Sequence, residues 1–305
     1  MDLAKSKKDL KHFLSTVVFC DVEWPEVEKA LHIWIDGRDP YTDIIPMLAC
    51  YVAGGDPSDA LPLAAFWSLY VLSARLSDDI LDGETNRWAE LLGDDVDVLL
   101  PAILSLISSA NHCLAHLDVD AETLRQIMST MGRSWALAAK SQRFTPHYDL
   151  TLERYLENIV SSTGTLFAAI MWTGGRIATQ NTDTLNLLSE YGFNVGMCAT
   201  IISDCQDLQE QTDKKSDLDL GLYKLPVIHA ASLSGHPKHG RIMQILSNPQ
   251  HLAQNMDELR QLVKEMGAID WSLSLSEQYR QEALSVLDRL NGDCHERAII
   301  LRNYI

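Results

Sequence analysis

Three segments of this chain are apolar on almost every side, and this feature limits the possible folds more than any other. They cover 61–76, 164–173 and 193–203. Nowhere does the sequence sustain the alternation of apolar and polar residues that a half-buried strand requires. A helix without a polar face is stable only where other elements surround it. We therefore predict central helices at these segments, with amphipathic helices packed around them.

Clusters of turn-forming residues divide the chain into long segments. The stretches between them have roughly 15–30 residues, which is long for helices of globular proteins and suits a bundle of rods. No internal repeat, low-complexity tract or linker interrupts the pattern. We predict an all-α fold, in which one domain over 1–305 forms a bundle of long helices around a central cavity. The clusters lie near 36–40, 54–57, 92–95, 144–147, 174–175, 235–237 and 291–293.

The charge of the chain narrows the range of its partners. Its 25 basic and 42 acidic residues give a net charge of −17. Nucleic acids and anionic membrane surfaces are bound by clustered lysine and arginine, so we expect neither as a partner. A phosphorylated substrate stays compatible with this charge, because bridging magnesium ions reverse the local sign.

Segment 61–76 and the cysteines indicate where such a chain resides. The segment includes Ser68, Ser73 and Arg75 and is too short to cross a bilayer, so we expect no membrane span. The six cysteines lie far apart without a CxxC pair, and the charged first residues do not resemble a signal peptide. We expect reduced thiols and a cytoplasmic location.

The sequence DDILD closes the first apolar segment with three acids. Asp78 and Asp82 are four residues apart and share a helix face, with Asp79 beside them. Like charges at this spacing destabilise a helix by roughly 0.2–0.5 kcal/mol unless a cation neutralises them. Magnesium typically takes one or two carboxylates together with water and phosphate oxygens. The motif therefore predicts half of a magnesium–diphosphate site, with a solvated acidic helix end as the alternative.

A second acidic pair closes the third apolar segment. Asp204 and Asp207 are three residues apart at its end. Two acidic helix ends can face each other across a cavity and hold metal ions, while apolar walls receive a hydrocarbon. This arrangement suits ionisation of an allylic diphosphate, in which metals take the leaving group and a dry pocket protects the carbocation.

Four motifs, in order, resemble those of one family. DDILDGETNRW resembles DDxxD followed by an arginine pair, with Arg87 at the first arginine, and YLENIVSSTGTLF resembles YLxxxxxKTGxLF. GMCATIISDCQD and SDLDLGLYKLPVI resemble GxxFQIxDDxxD and SDLxxGKxTLP. On these motifs the chain is similar, over nearly its whole length, to the trans-isoprenyl diphosphate synthases, or polyprenyl synthetases. The resemblance implies their all-α fold, a homodimer, an allylic isoprenyl diphosphate substrate, and Mg2+ held by Asp78, Asp79, Asp82, Asp204 and Asp207.

The chain departs from the family where a second substrate, isopentenyl diphosphate, is bound. A basic GKRxRP motif is replaced by IDGRDP, which places Asp36 and Asp39 beside a single base, Arg38. A family histidine is replaced by Val71, and the second arginine of the pair by Trp88. Several charge-assisted contacts of roughly 1.5–3 kcal/mol each would be lost. The resemblance therefore implies that isopentenyl diphosphate is not condensed in the usual way.

The allylic half is better preserved. Arg87 matches the family, and Lys224 lies two residues from the lost GK lysine at Leu222 and is a candidate substitute for it. Arg133, in TMGRSW, is a further candidate for diphosphate binding. The KTG lysine is replaced by Ser162. The residues predicted to line the substrate pocket are Trp67, Tyr70, Ser73, Ala74, Trp88, Ala199, Thr200 and Ser203.

Three classes of function fit this pattern. The leading hypothesis is a class I terpene synthase, which ionises farnesyl or geranylgeranyl diphosphate with magnesium and cyclises the cation. The first alternative is a prenyltransferase whose acceptor is an aromatic, indole or peptide group. The second alternative is a chain-elongating polyprenyl diphosphate synthase or its non-catalytic subunit.

Overall fold

The prediction of an all-α protein is confirmed. The computed structural model describes residues 1–82, 92, 96–141, 151–209, 224–248 and 251–304, apart from the side chains of residues 21, 82, 96 and 253. Across these residues the regular structure consists of helices, and no strand is found. Predicted site residues Arg87 and Trp88 lie outside the described residues, as does the side chain of Asp82.

Within the described part of the first half of the chain, the helices are α1 to α6. Short π and 3-10 turns follow α1 at Leu14–Val18 and Phe19–Asp21, and a 3-10 turn at Pro57–Ala60 precedes α4. The bounds are Leu3–Phe13 (α1), Pro25–Asp36 (α2), Ile45–Val52 (α3), Leu61–Asp82 (α4), Val96–Leu114 (α5) and Ala121–Ser141 (α6).

The second half contains α7 to α15. A π turn at Val160–Gly164 joins α7 to α8, and a 3-10 turn at Ala253–Asn255 precedes α12. The bounds are Leu152–Ile159 (α7), Thr165–Ala178 (α8), Thr182–Gln209 (α9), Leu225–Ser232 (α10), His239–Leu246 (α11), Met256–Glu265 (α12), Ala268–Asp288 (α13), Asp293–Arg297 (α14) and Ile299–Arg302 (α15).

Contacts group these helices into two compact units. The first unit comprises Met1–Arg133, Ala168–Gly192 and Val286–Ile305, and the second comprises Ser134–Phe167 and Phe193–Ser285. One domain over 1–305 with a central cavity stays a prediction.

Helix α4 provides the core of the first unit. Its residues Leu63, Ala64, Ala65 and Leu69 are fully buried, as its apolar composition predicts. Ser68, which is also buried, donates its hydroxyl to the carbonyl of Ala64 at 3.0 Å, so the interior holds no unsatisfied hydroxyl at this point. The helix ends in the acidic residues of DDILD.

Two described stretches, Pro57–Leu81 and Asp97–Leu114, are long and apolar enough to cross a bilayer by length and composition. In the first, 67% of the most apolar window is buried within the protein, as in the core helix of a soluble protein; in the second, 39% is buried. Two such helices are weak evidence for a membrane span, and the predicted lack of one stays a prediction.

The pair Gly174-Gly175 corrects one prediction. The sequence placed a turn there, whereas the structure places both glycines within α8. A Cβ atom on Gly174 would lie 2.4 Å from the carbonyl oxygen of Pro46, so the glycine lets α8 approach α3 closely. The prediction was wrong because glycine serves helix packing here, rather than chain reversal.

The second unit has its own hydrophobic core. It is built from α7, the second half of α9 and the helices from α10 to α13. Met197 and Ile201 of α9 are fully buried in it, which accounts for the apolar character of segment 193–203. The same helix carries the second acidic pair at its end.

Candidate functional site

Asp204 is a buried carboxylate at the end of α9. It lies between the buried residues Ile201, Cys205 and Leu208, and only 5% of its surface is exposed. Because removing a charge from water is costly unless the charge is paired and hydrogen-bonded, this position requires partners. The sequence predicted the residue but not its burial.

One oxygen of Asp204 is held by two hydrogen-bond donors. The hydroxyl of Tyr155 donates to Oδ2 at 2.6 Å, and the backbone N–H of Leu225 donates to the same atom at 3.0 Å. Burial and the adjacent charge of Asp204 raise the pKa of Tyr155 well above its ordinary value. Tyr155 therefore remains protonated and acts as a permanent donor, which fixes the orientation of the carboxylate.

The other oxygen of Asp204 faces a cation. The ammonium of Lys224 lies 3.7 Å from Asp204 Oδ1 and 3.1 Å from Asp207 Oδ2. Burial raises the pKa of Asp204 overall, and the charge of Lys224 and the hydrogen bond from Tyr155 act against that rise. Two carboxylates one helical turn apart thus converge on a single positive charge.

Local sequence places Lys224 at this point. It is the residue before α10, in an extended conformation, and Pro226 stands in the first turn of the helix. Proline is tolerated in the first turn because its missing N–H would have no partner within the helix there. The backbone N–H of Leu225 and the side chain of Lys224 therefore reach Asp204 from the same short segment.

The donor set fits a magnesium ion. Among the residues whose placement is described, no group of three or more His, Cys, Asp and Glu side chains is arranged to hold a metal. Magnesium, however, commonly takes only one or two protein carboxylates and completes its shell with water and phosphate oxygens. Asp204 Oδ1 and Asp207 Oδ2 are the oxygens that would hold such an ion.

The first acidic motif lies at the end of α4. Asp78 is exposed and Asp79 is partly buried, so both are open to solvent at the end of a helix whose first half is largely buried. Asp82 is the last residue of α4. Its side chain, like residues Arg87 and Trp88, lies outside the part of the chain that the structure describes, so the predicted roles of all three stay predictions.

The predicted pocket residues of α4 differ in burial. Trp67 is only 2% exposed and belongs to the core, as does Ser73, whose hydroxyl donates to the carbonyl of Tyr70 at 2.8 Å. Tyr70 and Ala74 are partly buried. The ring centroid of Tyr70 lies 4.5 Å from that of Phe66. Tyr70 and Ala74 are therefore better placed than Trp67 to contact a ligand.

The predicted pocket residues of α9 lie in the two turns before Asp207. Ala199 and Ser203 are exposed, and Thr200 is partly buried with its hydroxyl donating to the carbonyl of Gly196 at 3.0 Å. Thr200 precedes Asp204 by four residues, so the two share a helix face. Ala199, Thr200 and Ser203 therefore form a surface of small, mostly polar side chains beside the buried carboxylate of Asp204.

Arg38, the single base of IDGRDP, forms an ion pair within the first unit. Arg38 contacts Asp43, whose carboxylate is fully buried, at 2.9 Å. Its guanidinium also lies over the ring of Trp34, 4.4 Å from the centroid. Asp39 is paired with Lys7 at 2.9 Å. Arg38 and Lys7 are therefore each paired with a carboxylate of the chain itself.

Arg133 lies on α6, where its guanidinium donates to the hydroxyl of Ser129 at 2.8 Å. It lines a cavity of the first unit together with Arg125 and Arg176. Its predicted contact with diphosphate stays a prediction.

Sequence reasoning missed Tyr155 and Asp43. Tyr155 begins the YLENIVSSTGTLF motif, so its position was visible, but its partner lies 49 residues away. Asp43 stands alone among the apolar residues of TDIIPML, and a single acid in such a run was the available signal for a buried ion pair.

The chain is similar to known proteins over most of its length. The model of the polyprenyl synthetase family matches residues 45–266. The chain is 23% identical to the short chain isoprenyl diphosphate synthase of Methanothermobacter thermautotrophicus, over 90% of this chain and 87% of that protein. It is also 23% identical to the geranylgeranyl diphosphate synthase of Methanosarcina mazei, over 91% and 87% of the two chains.

Solved structures share the fold. A geranylgeranyl pyrophosphate synthetase from Pyrococcus horikoshii superposes with a TM-score of 0.83 at 22% identity, covering 99% of this chain and 97% of the other. A further crystal structure of a geranylgeranyl pyrophosphate synthase gives a TM-score of 0.85 at 16% identity, with coverage of 100% and 97%. At these identities the likeness establishes the fold alone.

Proposed function

The chain belongs to the polyprenyl synthetase family, and from this premise we propose that it is a prenyltransferase that elongates an allylic isoprenyl diphosphate with isopentenyl diphosphate. The observation that carries the proposal is the group formed by Asp204, Asp207, Lys224 and Tyr155. It combines two carboxylates for a divalent cation with an ammonium for a diphosphate.

Chain elongation replaces cyclisation as the leading hypothesis. The sequence departures favoured a terpene synthase, but the relatives described above are named as isoprenyl and geranylgeranyl diphosphate synthases. Those names support elongation, and they lend no support to a cyclase. Farnesyl and geranylgeranyl diphosphate stay candidate allylic substrates.

Each residue of the α9 group has a distinct part in this chemistry. Magnesium, when bound, neutralises the charge that develops on the leaving diphosphate. Tyr155 and the N–H of Leu225 hold one oxygen of Asp204, so that its other oxygen points to the cation. Lys224 donates to a diphosphate oxygen once it leaves Asp207. We propose that Asp78, Asp79 and Asp82 of α4 form the other half of the metal site.

Product analysis tests the proposal. The purified protein is incubated with Mg2+ and geranyl, farnesyl or geranylgeranyl diphosphate, with and without isopentenyl diphosphate. We expect a longer prenyl diphosphate only when isopentenyl diphosphate is present, and none from Asp204→Asn. Asp257→Asn, an exposed acid of the same unit, is the matched control. Hydrocarbon or terpene alcohol from an allylic diphosphate alone would overturn elongation in favour of cyclisation.

A second candidate is transfer to an acceptor other than isopentenyl diphosphate. The observation that favours it is the pairing of Arg38 with buried Asp43 and of Lys7 with Asp39, which leaves these bases satisfied without a second diphosphate. Adding indole to the same incubation distinguishes the two candidates. A prenylated indole, without a longer diphosphate, would replace elongation by this function.

The expected homodimer is also a proposal. Leu100 and Leu104 on α5 are 50% and 67% exposed, and two large apolar residues one turn apart on a surface favour burial by a partner. Light scattering on the purified protein should give twice the monomer mass of 34.1 kDa. A monomer at micromolar concentration would contradict it.

A further inference from the structure

The first unit contains a basic cavity in a strongly acidic protein. Its volume is about 450 Å³, within the roughly 300–1,000 Å³ of small-molecule pockets. Among the described residues that line it, three are arginines and none is acidic. The residues that carry the argument are Arg125, Arg133, Arg176, Gln126, Trp172 and Thr182.

Arg176 is the least exposed of the three arginines. Only 7% of its surface is exposed, although its guanidinium is charged at every accessible pH. Its Nε donates to the amide oxygen of Gln126 at 2.8 Å. Within the described part of the chain, this neutral amide is its one hydrogen-bond partner, and no carboxylate forms an ion pair with it. A buried charge with a neutral partner favours an anion at its free N–H groups.

Among the described residues, the carboxylates near the cavity are paired with groups other than Arg176. Glu122 accepts two hydrogen bonds from Arg125, at 2.8 and 2.5 Å. Asp120 accepts from the backbone N–H of Thr123 at 2.9 Å and from its hydroxyl at 2.7 Å, and these bonds lower its pKa more than the more distant charge of Arg176 does. The positive charge of Arg176 is therefore not matched by a contacting acid.

A second feature of the cavity also favours an anion. Thr182 lines it and is the first residue of α9, a helix of 28 residues. Asn181 caps this helix by accepting from the backbone N–H of Thr184 at 3.0 Å. The N-terminus of a long helix carries a partial positive charge and unsatisfied N–H groups. The second acidic pair lies at the other end of α9, so this position is distinct from the proposed metal site.

We propose that this cavity binds a phosphate or diphosphate group directly, without a metal ion, through Arg176 and Arg133. Guanidinium groups form paired hydrogen bonds with phosphate oxygens, so these arginines can bind the anion without a bridging metal ion. Arg133 lines the same cavity. Two of its N–H groups donate to the backbone carbonyl and the hydroxyl of Ser129, at 3.4 and 2.8 Å, and the others are left for a ligand. Trp172 and Leu185 supply an apolar wall next to the charges.

Calorimetric titration in EDTA tests the site on the full-length protein. Chelation removes divalent cations, so the carboxylates of the two acidic motifs do not bind the anion. With inorganic diphosphate as the probe, we expect saturable binding of one anion per chain. Both Arg176→Gln and Arg133→Gln should weaken it at least about tenfold, and Arg176→Lys should weaken it less. Arg241→Gln, an exposed arginine paired with Glu258 in the second unit, should leave it unchanged.

The outcomes are distinct. Wild-type affinity in both Arg176→Gln and Arg133→Gln, or no binding by the unaltered protein, overturns the proposal. Because Arg133 is exposed on α6, its variant keeps the test valid if loss of buried Arg176 disrupts folding. Repeating the titration with inorganic phosphate and farnesyl diphosphate separates the sources of the group. Tighter binding of farnesyl diphosphate, lost in Trp172→Ala, assigns the site to a prenyl diphosphate, whereas equal affinities assign it to the free anion.

Discussion

Two buried carboxylates, Asp204 in the second unit and Asp43 in the first, solve the same electrostatic problem in different ways. Each lies in an apolar environment and has one basic partner, Lys224 or Arg38. At Asp204, a tyrosine and a backbone N–H hold one oxygen and leave the other to the base. At Asp43, Arg38 and the weak 3.4 Å contact of Thr42 both use Oδ1, and Oδ2 has no hydrogen-bond partner among the described residues.

The difference lies in what the base contacts besides the buried acid. Lys224 also reaches Asp207, whose side chain is 48% exposed, so this pair is accessible to solvent, and we propose that a metal ion replaces the ammonium there. Arg38 is confined between Asp43 and the ring of Trp34. An acid–base group can thus serve substrate binding when one carboxylate is accessible, and serves stability when none is.

The largest effect is expected at Asp204. Asp204→Asn keeps the shape but removes the charge, so we predict a loss of about a thousandfold in kcat/KM, equivalent to about 4 kcal/mol in the barrier. Initial rates of diphosphate release with farnesyl diphosphate and isopentenyl diphosphate measure it. Asp257→Asn is the control and should keep full activity. If Asp204→Asn keeps activity within threefold of the unaltered protein, Asp204 is not a metal ligand.

Arg38→Met tests the structural half of the comparison. It leaves the Asp43 carboxylate buried without its base, so we predict that the free energy of unfolding falls by about 3 kcal/mol. Urea unfolding followed by circular dichroism provides the measurement. The KM for the allylic diphosphate should not change. A stable variant with a raised KM for isopentenyl diphosphate would instead make Arg38 a substrate ligand.

Tyr155→Phe removes one donor from Asp204 without changing the volume of the core. We predict a loss of about tenfold in activity and a comparable rise in the magnesium concentration needed for half-maximal rate. Tyr279→Phe, at a partly buried tyrosine packed against the same core, is the control. If Tyr155→Phe raises no magnesium requirement, the hydrogen bond does not orient a metal ligand.

The smallest effect is expected at the surface pair of Lys7 and Asp39. Because the Asp39 side chain is 66% exposed, Asp39→Asn should change the free energy of unfolding by less than about 1 kcal/mol. If Asp39→Asn lowers the free energy of unfolding as much as Arg38→Met does, exposure does not distinguish the stabilising Arg38–Asp43 pair from the surface pair of Lys7 and Asp39.

The sequence predicted the helices better than the partners of the charged groups. All-round apolar segments such as 61–76 require burial whatever the topology, and the spacing of Asp204 and Asp207 sets them on one side of a helix. The partner of Asp204 is Tyr155, at a separation of 49 residues, and no local periodicity encodes such a contact. Gly174 resembled a turn residue because the close approach of Pro46 leaves no trace in the local pattern.

The position of Lys224 was predicted from its closeness in sequence to Leu222. The sequence proposed it as a substitute for a lysine lost at Leu222, on grounds of proximity. The structure brings its ammonium to Asp204 and Asp207, a result that depends on how the segment before α10 enters the core.

We propose that the carboxylates at the end of α9 exchange Lys224 for a divalent metal when an allylic diphosphate binds. Anomalous scattering from crystals grown with Mn2+ and a non-reactive thiolo analogue of farnesyl diphosphate tests it most directly. We predict a manganese peak bonded to Oδ1 of Asp204 and to Oδ2 of Asp207, with the ammonium of Lys224 on a phosphate oxygen. A bound analogue with Lys224 still between the two carboxylates, and no metal on either, would contradict the account.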